Sequence, residues 1–278
     1  MLHTESPMSI RSGEDNSLDP VAPKMQCLRT RGSDSGEGTV FIPGSSLKGV
    51  IRSRCERIVS LLGGECCPVV DRYKACQEIK DRDIPRGASR GDYVYNKMCV
   101  ACRMFGSTSI NSRIRFVDAY PVKECTPVIG MRSGVGINRV TGAAQRGALY
   151  DFEVVEEATF QTEIYLKNYE LYQLKLLSFA LKDLDEGYVS IGGSTSRGNG
   201  RMKVQQMGVL FRDYRNKPTR LAGFRGADDV AKELGFTSNS FFYEAKLKMC
   251  EDGLNQLLDL LEGIDVSKAV KGSKPYVR

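Results

Sequence analysis

Cys99 and Cys102 form a CxxC pair in CVACRMFGS, a spacing at which one short stretch of chain can present two thiolates to a single zinc ion. A second pair drawn from Cys66, Cys67 and Cys76 would complete a tetrahedral set. The set taken here is Cys67, Cys76, Cys99 and Cys102, with Cys66 the rival of Cys67. A redox CxxC and unrelated buried thiols are the other readings of these residues. Cys27, Cys125 and Cys250 are isolated and read as packing residues, and so does Cys55.

Three further stretches could handle phosphate. In residues 41–54, FIPGSSLKGVIRSR, Ser45 and Ser46 open a helical pattern, where free N–H groups and the helix dipole favour an anion, and Lys48 and Arg52 add charge close by. An ordinary Ser-capped helix fits the same residues, and the P-loop pattern GxxxxGK[ST] is not matched. In residues 191–201, IGGSTSRGNGR, Gly192, Gly193, Gly198 and Gly200 surround Arg197 and Arg201; such glycine density admits close backbone approach, and the arginines can donate in pairs. No helical pattern follows, which excludes a dinucleotide fingerprint. In residues 132–160, Arg132, Arg139 and Arg146 lie in Gly-rich sequence near Tyr150 and Phe152, a mixture suited to a loop along a nucleic-acid backbone or, equally, to a solvated loop.

Composition removes several classes. The single histidine, His3, leaves no residues for a Ser-His-Asp triad, a HExxH zinc site or a two-histidine ribonuclease. Nine cysteines is an odd number for a disulfide framework, and the cytoplasmic location expected from the lack of a signal peptide or spanning run would keep thiols free, so the clustered cysteines read as metal ligands. No apolar run approaches the roughly 20 residues that span a bilayer, and the first residues lack the pattern of a signal peptide, so no membrane partner is expected. The excess of 40 basic over 34 acidic residues is modest and bears on RNA only where it is clustered.

These residues need elements to position them. Residues 2–4 read as a short extended piece and 40–43 as a short strand. A helix is expected from GSSLKG to Gly63-Gly64, with Leu47, Val50, Ile51, Ile58, Leu61 and Leu62 at helical spacing. Residues 65–103 lack the periodicity of a core, which fits an insertion held by something other than apolar burial. Strands are expected at 114–119 and 202–210, a strand pair at 152–166, and a second helix at 171–184 from Leu174, Leu177, Leu181 and Leu184, which leads through 188–191 into the Gly-rich loop. Strand, helix, strands, helix, Gly-rich loop, strand is the order of an α+β ferredoxin-like or RNA-recognition-motif-like sandwich.

Four of these stretches, IPGSSLKGVIRS, CVACRMFGS, GINRVTGAAQRGALYDFEVV and GGSTSRGNGRM, resemble in family order the RAMP superfamily of CRISPR-associated proteins, above all the backbone subunits of type III effector complexes. The resemblance covers roughly residues 1–205. It implies one palm domain over residues 1–278, with a zinc-bearing insertion at 64–113, a thumb hairpin at 120–150 and an extension of unknown role at 211–278. It implies guide RNA, complementary target RNA and neighbouring subunits as partners. It further implies structural zinc, and Mg²⁺ for target cleavage at an aspartate in the loop after the first strand. The matching residue is Asp19 in SLDPVAP, with Asp15 and Asp34 as rivals. A non-catalytic scaffold of the same complex is the alternative. A stand-alone nuclease that matures guide precursors is disfavoured by the scarcity of histidine.

Overall fold

The computed structural model describes residues 1–11, 25–30, 38–68, 76, 79–224 and 230–276. The helices are α1 (Gly44–Leu61), α2 (Arg90–Lys97), α3 (Val100–Phe105), α4 (Leu171–Asp185), α5 (Gly253–Leu260) and α6 (Val266–Val270). The strands are β1 (Leu2–Thr4), β2 (Arg29–Thr30), β3 (Thr39–Val40), β4 (Ile114–Phe116), β5 (Tyr120–Pro121), β6 (Val128–Ile137), β7 (Ala144–Glu157) and β8 (Thr159–Gln161). They continue as β9 (Ile164–Leu166), β10 (Met202–Val204), β11 (Met207–Asp213), β12 (Arg220–Ala222), β13 (Val230–Glu233), β14 (Thr237–Ser238) and β15 (Tyr243–Cys250). The result is a mixed α/β chain with several small antiparallel sheets, divided into two compact units.

The first unit comprises Met1–Leu47, Val117–Glu163 and Leu184–Gln205. Its main sheet has the antiparallel order β10-β1-β8-β5, in which Leu2 pairs with both Val204 and Phe160, and Tyr120 pairs with Gln161. Short strands suffice here because apolar residues bury on them: Phe160 and Met202 have no exposed surface and Leu2 is buried. Phe160 sits between two partners in this sheet, so Phe160→Ala leaves a cavity that neighbouring strands cannot fill. The expected cost is about 3–5 kcal/mol of unfolding free energy in denaturant titration.

From the same unit rises the long antiparallel hairpin β6–β7, with Arg132 opposite Phe152 and Gly134 opposite Tyr150. The weak patterning of this segment in the sequence has a physical cause: most of β6 is exposed, so burial imposes no period-2 alternation. Its glycines have a packing role, since a Cβ on Gly134 would collide with the Tyr150 ring.

The second unit comprises Lys48–Phe116, Ile164–Asp183 and Gln206–Arg278. One core joins Leu171 and Leu174 of α4 to Phe211, Leu221, Ala231 and Ala245 on strands and Leu257, Leu260 and Leu261 around α5. A smaller cluster gathers Ile79, Val94, Met98 and Ala101 around buried cysteines. The segment expected as one strand at 202–210 is two strands, broken at Gln205-Gln206, and its halves belong to different units. The segment at 188–191 is a turn closed by the single bridge Ser190–Arg201. In α1 the buried apolar side chains are Leu47, Ile51, Cys55 and Val59, one stripe at every fourth residue, whereas Leu61 is 81% exposed. Cys55 thus fills a place in the helix's apolar face, and the stripe is blurred in the sequence when its thiol is set apart from the aliphatic residues. No described helix is long and apolar enough to cross a membrane.

Candidate metal centre and nucleic-acid interface

Cysteines from three places in the second unit come together in one buried group. Cys99 stands immediately before α3 and Cys102 inside its first turn, so a helical start turns both thiols to one side. Cys67 follows the α1 terminus, where Gly63, at φ +83°, lets the last turn close with N–H groups of Gly63 and Gly64 donating to the Ser60 and Val59 carbonyls. Cys76 completes the group. The four Sγ atoms lie within 4.8 Å of one another, and all four residues are buried. Cys67 and Cys102 Sγ are 3.3 Å apart, and Cys99 and Cys67 Sγ 3.8 Å.

No disulfide links them. A tetrahedron with metal–sulfur bonds of about 2.3 Å has edges of about 3.8 Å, so the donor set fits a soft, four-coordinate ion such as zinc. Cys66, the rival of Cys67, is half-buried and outside this set. Hydrogen bonds from Cys102 and Cys67 bring the Cys76 thiol down to about 7, while a hydrogen bond with Cys67 pushes Cys102 up. Four thiols crowded this closely do not ionise independently, and an ion that replaces their protons removes the conflict.

The residues proposed for phosphate fall in different settings. At the start of α1 the Gly44 N–H donates to Asp118 Oδ1 at 2.7 Å, and the Ser46 N–H to the Pro43 carbonyl. A carboxylate from the protein thus already occupies part of the anion-favouring helix end beside Ser45 and Ser46. Lys48 Nζ donates to Ser112 Oγ at 2.9 Å, and burial, then the nearby Arg52 charge, lowers its affinity for a proton. Arg52 pairs with Glu56 at 2.8 Å and directs a second nitrogen at Cys102 Sγ, 3.9 Å away. Its side chain therefore faces the cysteines as much as solvent.

In the first unit the glycine-rich loop closes on residues 7–9. The Gly193 N–H donates to the Ser9 carbonyl at 2.7 Å and the Gly200 N–H to the Pro7 carbonyl at 2.8 Å. Gly200 has φ +86° and its missing side chain would run into the Ile191 carbonyl, so no other residue fits there without strain. This fold places Arg197 against Tyr150 Oη and Ser194 Oγ, and Arg11 against the same Ser194 and over the Phe152 ring. Tyr150 and Phe152 stack with centroids 6.0 Å apart. Two guanidinium groups beside two rings can grip phosphate and cover a base.

Arg201 is paired with Glu5 at 2.6 Å, and Gly198 closes the short helical turn at 195–197. Arg132 and Arg146 are exposed along the hairpin and Arg139 at its tip. Sequence reasoning missed Arg11 and Asp118: Arg11 lies in no patterned stretch, Asp118 falls inside a segment expected only as strand, and the tertiary fold alone brings them to the loop and the helix end. Asp19, Asp15 and Asp34 lie outside the described residues.

Residues 2–203 match the family model described as the RAMP superfamily, and the chain belongs to that superfamily. It is also similar to a Methanocaldococcus jannaschii protein described as CRISPR system Cms endoribonuclease Csm3. The two are 26% identical over 233 residues, which span 78% of this chain and 81% of the relative.

Proposed function

We propose that this protein is a backbone subunit of a type III CRISPR effector complex, binding guide RNA along its phosphates beside neighbouring subunits and cleaving paired target RNA. One observation carries the reading: in a RAMP-superfamily chain similar to a named CRISPR endoribonuclease, the glycine-rich loop folds onto residues 7–9 and gathers Arg11 and Arg197 beside Tyr150 and Phe152. Contacts of this kind are to phosphate and ring faces rather than base edges, so target choice falls to base pairing.

The order β1, α1, β5, β8, α4, β10 with sheet order β10-β1-β8-β5 supports reading the first sheet and these helices as a ferredoxin-like palm. On this reading residues 64–113 are its insertion, 120–150 its thumb and 211–278 its extension. Ser45, Ser46 and Lys48 on α1 and Arg132, Arg139 and Arg146 on the hairpin add further RNA contacts. Zinc held by Cys67, Cys76, Cys99 and Cys102 would crosslink the insertion, whose own apolar cluster is small. Cleavage is assigned to Asp19 with Mg²⁺.

The binding part is tested by measuring guide-RNA affinity against salt concentration. Taking one cation away from a phosphate should reduce the slope of log K on log[salt] by about 1. Arg139→Ala and Arg197→Ala are each expected to lower affinity and flatten that slope. Slopes and affinities equal to the unaltered chain for both variants would remove these residues from the interface.

A further inference from the structure

The end of the chain lies beyond the family match, which stops at residue 203, yet it reaches back to the cysteines. Ser273 is buried, and its hydroxyl accepts the Val100 N–H at 3.0 Å and donates to the Glu65 carbonyl at 3.0 Å, while the Glu65 N–H donates to the Ser273 carbonyl at 2.8 Å. Ser273 therefore stitches together the two chain segments that lead into Cys67 and Cys99. Three residues on, the Tyr276 N–H donates to Cys76 Sγ at 3.4 Å, and the Cys99 N–H donates to the same sulfur at 3.5 Å. The Tyr276 side chain packs against the cysteine cluster, and Val270, on α6, is wholly buried. Gly64 lies so close to this tail that a Cβ there would approach the Val270 carbonyl oxygen at 2.6 Å.

We propose that the C-terminal tail, through Ser273 and the Tyr276 N–H, is the outer shell of the four-cysteine metal centre, so that metal loading and docking of the tail stabilise each other. The inference rests on the zinc reading above. A divalent ion on four thiolates leaves a buried group with a formal charge of −2, and each N–H aimed at a sulfur offsets part of it. With neutral thiols the same N–H groups face weaker acceptors, and the tail has less to hold it. Arg52, with a nitrogen 3.9 Å from Cys102 Sγ, supplies an opposite charge. Coupling between two binding events is reciprocal, so what metal adds to tail docking the tail adds to metal affinity.

The test uses the full purified chain. Zinc content is measured first, then the rate of zinc transfer to a chromophoric chelator, and hydrogen exchange over residues 265–276 before and after chelation. Tyr276→Pro deletes the N–H donor, Tyr276→Ala removes the ring but keeps the donor, and Ser273→Ala removes the hydroxyl stitch. Losses of outer-shell partners typically weaken metal binding 10–100-fold, so Tyr276→Pro and Ser273→Ala are expected to release zinc about tenfold faster or more, Tyr276→Ala less, and chelation to speed exchange in the tail. Stoichiometric zinc with unaltered release in Tyr276→Pro and Ser273→Ala would overturn the coupling while leaving the metal centre standing. An unaltered chain without zinc would overturn both.

Discussion

Cys99→Ser or Cys102→Ser is expected to take zinc from about one per chain to well below that and to lower Tm by about 10 °C, a loss of several kcal/mol. The size follows from what else holds the segment around α2 and α3. Its apolar cluster consists chiefly of Ile79, Val94, Met98 and Ala101 with the cysteines themselves, and α2 and α3 are short helices, of 8 and 6 residues, that packing must hold in place. A hydroxyl at either position removes a soft ligand from a set whose members lie within 4.8 Å, and three remaining thiols bind zinc far more weakly. Because the thiols must give up protons to bind, acid should release the metal even from the unaltered chain, and stability should fall with it as pH falls. Metal analysis by mass spectrometry beside thermal unfolding checks both. Unchanged zinc content with unchanged Tm in both variants would show that the four sulfurs are merely packed thiols.

Much of this centre can be read from the residues alone, because its signal is local: a CxxC pair, and a stretch too irregular to form a core. The sequence leaves Cys66 and Cys67 open, since adjacent residues differ only in the direction of their side chains, and that direction is set by the turn after α1. Helices α1 and α4 are legible for the same reason, buried residues recurring along one face. The hairpin β6–β7 is only partly legible as strands: the alternation begins at Phe152, in the later part of β7, and the rest reads as a hairpin or loop. An exposed ribbon has no face to bury, so Gly134 under Tyr150 reads as loop glycine although it serves a cross-strand contact. The cluster of Arg11, Arg197, Tyr150 and Phe152 joins residues far apart in the chain, and no local pattern announces such a meeting. Nor does any pattern foretell that Asp118 occupies the end of α1, where the residue types alone leave the N–H groups to a phosphate.

In a reconstituted complex supplied with Mg²⁺, Asp19→Ala is expected to slow cleavage of guide-complementary RNA by about 100-fold or more while guide binding is unchanged. Removal of a group that moves a proton or places a metal usually costs a factor of about 10² to 10⁴. Asp19 precedes IPGSSLKG in the sequence and is the aspartate that the family resemblance singles out; its carboxylate could accept the proton of the attacking 2′-hydroxyl or hold the ion that draws charge from the scissile phosphate. Histidine cannot serve, since His3 is the only one in the chain and its ring nitrogen lies 3.0 Å from Thr159 Oγ1 within the β1–β8 pair. The guide contacts proposed above are made by arginines, serines and glycines elsewhere, so binding and cutting should separate cleanly in this variant. Regular cuts that persist in Asp19→Ala but vanish in Asp15→Ala or Asp34→Ala would move the chemistry to that aspartate. Cuts that persist in all three would move it to another subunit, and a complex that binds target yet never cuts, with the unaltered chain in place, would leave this protein as the scaffold on which guide and target are paired.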